Sequence, residues 1–120
     1  MRRIRCSGEF DGKRYDRERA AMNRTEHLLV CLAEECAEVQ HAVAKALRFG
    51  LDDGYPGAAS TNAQDIAREF QDVLAVVEML EDEGALDCTT DLEAIDRKKA
   101  RVSEYIGYAE SVGSLTPNAE

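Results

Sequence analysis

Between residues 23 and 50 the apolar positions Leu28, Leu29, Leu32, Cys36, Val39, Val43 and Leu47 recur at helical spacing. That period places them along one stripe of an α-helix. Asn23, with Glu26 three residues on, has the form of an N-cap with an acid at N3. Gly50 is a stop signal for the same helix. The segment LDDGYPGAAST then predicts a loop, rich in Gly and Asp and carrying Pro56. A second stripe, Ile66, Phe70, Val73, Leu74, Val77 and Leu80, predicts a helix opened by Asn62 with Asp65 and ended by Gly84. ALDCTT reads as a linker. Asp91 opens a third helix with Leu92, Ile95, Val102 and Ile106, which stops near Gly113. No strand pattern and no repeat appears. The fold class expected is all-α: a polar arm at 1–22, a helical domain at 23–113 and a frayed tail at 114–120.

Composition narrows the function classes. A chain of 120 residues suits one domain, and a hydrophobic fraction of 44% allows a real core. With 24 acidic and 15 basic residues the net charge is -9, which argues against a nucleic-acid polymer as partner. No apolar run is long enough for a membrane span, so no membrane partner is expected. The basic N-terminus lacks the apolar stretch of a signal peptide, and a cytoplasmic location is the expectation. Cys6, Cys31, Cys36 and Cys88 form no CxxC pair and no zinc spacing, as befits thiols in a reducing compartment.

The chemistry lies in acids placed inside the apolar stripes. At 100° per residue, Glu35 falls about 20° from Leu28, and Glu38 lies about 60° further round. Glu34 is about 40° beyond Glu38, toward the polar side. On the second helix Glu69 falls between Val76 and Leu80, with Asp72 about 60° away at the edge of the arc. A carboxylate facing a core is costly unless a positive charge neutralises it. A solvated acidic face explains Glu78, Glu81, Asp82, Glu83 and Glu93 well, but explains Glu35 and Glu69 poorly. Ion pairing with Arg68 or Lys45 is a second ordinary explanation. A cage for a hard divalent cation such as Mg²⁺ is the functional one. Lys99 falls within the apolar arc of the third helix, either as a phosphate clamp or with its stem packed and its amine in water. Lys45 follows Glu38 by two turns, to touch a phosphate or pair with an acid.

The combination Glu34-Glu35-x-x-Glu38 and Glu69-x-x-Asp72 resembles the MazG-like all-α nucleotide pyrophosphohydrolases, of the small phage and bacterial type. The flanking CLAEECAEV, ALRFGLD, TNAQDIAREFQDVLAVVEMLEDEG and IDRKKARVSEYIGY are similar too, so the resemblance covers roughly residues 24–112. Thirty residues separate Glu38 from Glu69, at or beyond the long end of the family's usual spacing. The extra length falls in the Gly-rich loop, where it is tolerated. The resemblance implies hydrolysis of a nucleoside triphosphate between the α and β phosphates, giving the monophosphate and pyrophosphate. It implies Mg²⁺, or Mn²⁺ as a substitute, held by Glu35, Glu38, Glu69 and Asp72. Glu34, Glu35 and Glu38 would be the catalytic acids, with Glu34 an additional ligand or a water-positioning group. Lys99 and Lys45 would bind phosphate oxygens; Phe49, Tyr55 and Tyr105 are available for the base, with ordinary core or surface packing as the alternative role for each. A homodimer or homotetramer is expected, because three such helices cannot enclose a site and family members pair helices across subunits.

Two rival readings stand beside this one. Glu38-x-x-His41 is the ExxH motif of carboxylate-bridged di-iron bundles. However, His41 lies about 60° beyond Glu38, and Asp72 stands where a second histidine is needed. A non-enzymatic acidic helical interaction protein explains the stripes and the charge, but not inward acids on two helices.

Overall fold

The computed structural model describes residues 21–117. The expected arm therefore lies outside the described residues, apart from its last two positions, as do the last three residues of the tail. The elements are α1 (Arg24–Phe49), α2 (Asn62–Asp82) and α3 (Leu92–Ser111), and no strand occurs among the described residues. The chain divides into two units between Asp87 and Cys88: a hairpin of α1 and α2, and a unit containing α3.

The helix ends follow local chemistry. Asn23 caps α1 through a reciprocal box: its Oδ1 accepts from Glu26 N–H at 2.8 Å, and its own N–H donates to the Glu26 carboxylate at 3.0 Å. Gly50 ends α1 at φ 100°, a backbone angle that a residue with a Cβ adopts only under strain. The start of α2 differs from the sequence expectation by one position. Thr61, not Asn62, is the N-cap; its hydroxyl accepts from Gln64 N–H at 3.2 Å, and Gln64 Oε1 accepts from Thr61 N–H at 2.9 Å. Asn62 is 4% exposed, and its Nδ2 donates to Gly50 O at 2.8 Å. Its side chain is thus drawn to a carbonyl just past the end of α1 instead of to its own helix.

That contact belongs to a set that laces the hairpin at the loop end. Asn62 N–H donates to Asp53 O at 2.7 Å, and Ala63 N–H to Leu51 O at 3.0 Å. At the other end Glu83 accepts from the Arg24 guanidinium, and from Thr25 Oγ1 at 2.9 Å. The helices therefore run antiparallel, tied at both ends.

Between the ties the seam is narrow. Leu28, Ala42, Ala46 and Leu80 are its buried apolar residues, and Leu80 is wholly buried. Leu28, Ala42 and Ala46 fall within about 40° of one another round α1, with Glu35 in the same sector. Much of the predicted stripe lies beside that seam: Leu47 is 84% exposed and Phe70 51%. Two helices bury only the sides that face each other. Within the second unit, Asp91 caps α3 by accepting from Ala94 N–H at 2.9 Å, and no residue of α3 is buried.

Candidate metal centre

The seam carries acids to one point. Glu35 of α1 and Glu69 and Asp72 of α2 each offer a carboxylate oxygen, all within 4.8 Å of one another. Glu69 and Asp72, three apart, project from one side of α2 as helical spacing requires. Glu35 reaches them because it shares the sector of Leu28, Ala42 and Ala46. Glu35 and Glu69 are half-buried, and Asp72 is exposed. It is the one such cluster of His, Cys, Asp or Glu among the described residues.

The electrostatics are those of an under-neutralised anion site. Burial holds the Glu35 carboxyl above its ordinary range, and the charges of Asp72, Glu69, Glu38 and Glu34 push it the same way. An all-carboxylate donor set suits a hard, oxygen-seeking dication, not a soft metal. A cation there would relieve the repulsion that raises Glu35.

A network of opposite sign adjoins the cluster. Arg68 Nη2 donates to Glu69 Oε1 at 3.3 Å, and its Nη1 to Asp65 Oδ1 at 2.9 Å. Ser60 Oγ donates to the same Asp65 oxygen at 2.7 Å. The Ser60 hydroxyl is the main reason Asp65 lies below the usual carboxylate range; Arg68 and Lys45 add to it, against the opposing effect of burial. Glu69 and Asp65 together make Arg68 hold its proton more firmly than usual. Sequence reasoning treated Arg68 only as a counterion and Asp65 only as a helix-opening acid, and passed over Ser60. The three-residue spacing of Asp65 and Arg68 is the signal that pointed to the pair.

The remaining expected site residues are placed as follows. Glu38 is exposed and lies outside the cluster, with Oε2 3.9 Å from His41 Nδ1. It does line a polar cleft of about 190 Å³ together with His41, Lys45, Asp65, Arg68 and Glu69. Glu34 is exposed, and Lys45 is half-buried in the cleft wall. His41, which a di-iron arrangement would need, is exposed and is not part of the cluster. Lys99 belongs to α3 in the second unit, where it is exposed. On the other side, Glu35 borders an open cleft of about 490 Å³ lined also by His27, Leu28, Cys31, Val76 and Met79. Cys31, Cys36 and Cys88 are free thiols.

Among the described residues no helix is long and apolar enough to cross a membrane. No family model, no curated protein and no solved structure matches the chain.

Proposed function

We propose that this chain is a Mg²⁺-dependent nucleotide pyrophosphohydrolase of the MazG-like all-α type. It would cleave a nucleoside triphosphate between the α and β phosphates, releasing the monophosphate and pyrophosphate. The observation that carries this reading is the meeting of Glu35, Glu69 and Asp72 within 4.8 Å, at the sequence positions the EExxE and ExxD pattern marks.

The donor set fits Mg²⁺, and Mn²⁺ as its substitute, because every ligand is a carboxylate oxygen. Glu35, Glu69 and Asp72 would hold the ion, with Glu38 as the fourth ligand from the adjoining cleft. When bound, it supplies Lewis acidity at the phosphoryl group and a lowered pKa for the attacking water. Glu34, exposed beside Glu35, is assigned to orient that water. Lys45 and Arg68 bring positive charge to the polar cleft, where phosphate oxygens need it. Exposed apolar residues on both helices, Val43, Leu47, Phe70 and Leu74 among them, support a bundle completed by a homodimer or homotetramer. The proposed setting is the cytoplasm.

One observation favours a second reading. Glu69 already has a cation partner in Arg68, so the acids of the hairpin are also explicable as structural ion pairs in an interaction protein. Product analysis separates the two. The folded chain is incubated with canonical and modified NTPs and dNTPs, in Mg²⁺ and in EDTA. Metal-dependent release of monophosphate and pyrophosphate, lost in Glu35→Gln and Glu69→Gln, is the expected result. No turnover of any triphosphate by Mg²⁺-saturated protein overturns the reading.

A further inference from the structure

We infer that the open cleft beside the carboxylate cluster is a site for a soft monovalent cation, Cu(I), held by the Cys31 sulfur, the Met79 thioether and the His27 imidazole. The site is separate from the carboxylate centre and does not depend on the pyrophosphohydrolase reading.

The cleft gathers soft donors. Its volume is about 490 Å³, and it is lined by His27, Cys31 and Glu35 of α1, by Met79 of α2 and by Met22 just before α1. Met22 and Met79 are the two methionines among the described residues, and both stand in this one cleft. They are 49% and 40% exposed, so neither side chain is used up in packing. Among the described residues the His27 ring forms no hydrogen bond or ion pair, whereas His41 stands against Glu38. Cys31 is half-buried, while Cys36 and Cys88 are exposed.

Helical geometry brings the donors together. His27 and Cys31 are four residues apart, which puts their Cβ atoms about 5–6 Å from each other on one face of α1. Two donors at that spacing share one ion in helical His-x-x-x-His sites. Each four-residue step also turns about 40° toward the seam, from His27 through Cys31 to Glu35. The helices run antiparallel, so stepping back along α1 from Glu35 moves along α2 from Asp72 toward Met79. Met79 therefore shares a cleft with Cys31 and His27, and Asp72 joins Glu35.

Donor chemistry separates the two neighbouring centres. The carboxylates select a hard dication, whereas thiolate and thioether sulfur select Cu(I), and imidazole accepts it. On binding, the Cys31 thiol gives its proton to solvent and its sulfur electron pair to the metal. Copper remains Cu(I) throughout. Thiolate and Cu(I) cancel in charge, so an occupied site adds no repulsion to a dication one helical turn away.

The test is anaerobic titration of the full chain with Cu(I) against a competing Cu(I) chelator, in excess Mg²⁺. One tightly held Cu(I) per chain is expected. Cys31→Ser is expected to lose it. Met79→Leu and His27→Gln are expected to weaken it by about 10-fold or more, because each removes a metal bond and a decade is only about 1.4 kcal/mol. Leucine nearly matches methionine in volume, so Met79→Leu reads the sulfur alone and decides the matter even if Cys31→Ser fails to fold. Cys36→Ser and Cys88→Ser are expected to bind as the wild type does. Full affinity in both Met79→Leu and His27→Gln overturns the inference. So does loss of the site in Cys36→Ser or Cys88→Ser, or displacement of Cu(I) by Mg²⁺. Uptake of Zn²⁺ but not Cu(I), indifferent to Met79→Leu, overturns it as well.

Discussion

Arg68 and Glu69 are sequence neighbours joined by a 3.3 Å contact from Nη2 to Oε1, which sets a guanidinium against one of the clustered carboxylates. Arg68 is anchored on its other side by Asp65 at 2.9 Å. It therefore neutralises part of the acid cluster without entering it, and it competes with any cation that Glu69 would bind. Arg68→Gln removes the competitor. Mg²⁺ affinity, measured by calorimetry, is expected to rise about fivefold, the effect of one unit charge a few ångströms away in a solvated setting. A weaker affinity would show instead that Arg68 is needed to hold Glu69 in place.

A metal site on the seam links cation binding to folding. At Mg²⁺ concentrations about a hundredfold above its Kd, the wild-type Tm is expected to rise by about 10 °C over its value in EDTA. Glu35→Gln and Glu69→Gln are expected to lose that rise. Glu35→Gln in EDTA is expected to melt at or above the wild type, because it removes a charge held among like charges. Thermal melts across a Mg²⁺ series check all three. A wild-type Tm that does not respond to Mg²⁺ removes the metal site altogether.

The pH dependence has two opposed parts. Glu35 is raised, first by burial and then by the acids around it, so the native chain binds more protons than the unfolded chain between the ordinary carboxylate range and the raised value. Its contribution to metal-free stability falls as pH climbs through that window, and above the window it is a constant penalty. Asp65 is lowered, first by the Ser60 hydroxyl; its contribution is complete above the ordinary Asp range and is lost as pH falls through the lowered value. In EDTA, Glu35→Gln is expected to gain on the wild type as pH rises from acid toward neutrality. Ser60→Ala is expected to lose most near neutrality and little at the acid end. Melting each variant over that range tests the signs independently.

The readable part of this fold was local. Asn23, Glu26, Gly50 and Asp91 act through bonds within a few residues, and the structure places them as caps and stops where their spacing indicates. Thr61 and Asn62 are both good capping residues, and what separates them is a bond from Asn62 to Gly50, twelve positions away, which spacing rules do not include. The carboxylates were legible for a similar reason and to a similar extent. Helical period put Glu35 and Glu69 toward a neighbour, but the rotation of α1 against α2 is a property of the pair. The stripe of large residues suggested a seam turned toward Leu47. The actual seam runs through Ala42 and Ala46, whose small side chains weigh little in a hydrophobic pattern. That rotation brings Glu35 to Glu69 and Asp72 and leaves Glu38 on the neighbouring cleft.

A seam this narrow concentrates its stability in few side chains. Leu80 has no exposed surface, and it lies on α2 two turns beyond Asp72. Leu80→Ala deletes buried methyl groups and leaves a cavity between two helices that are tied at both ends and poorly free to collapse into it. A loss of about 2–5 kcal/mol is expected. Leu47→Ala, at 84% exposure in the single chain, is expected to change the stability of an isolated chain by about 0.5 kcal/mol or less. If copies of the chain assemble through that face, the same substitution costs more as protein concentration rises. Urea denaturation of both variants at two widely separated concentrations separates these outcomes. A concentration-independent midpoint for Leu47→Ala matching the wild type would exclude that face from the assembly, and an undiminished midpoint for Leu80→Ala would mean the seam is not where the hairpin's stability resides.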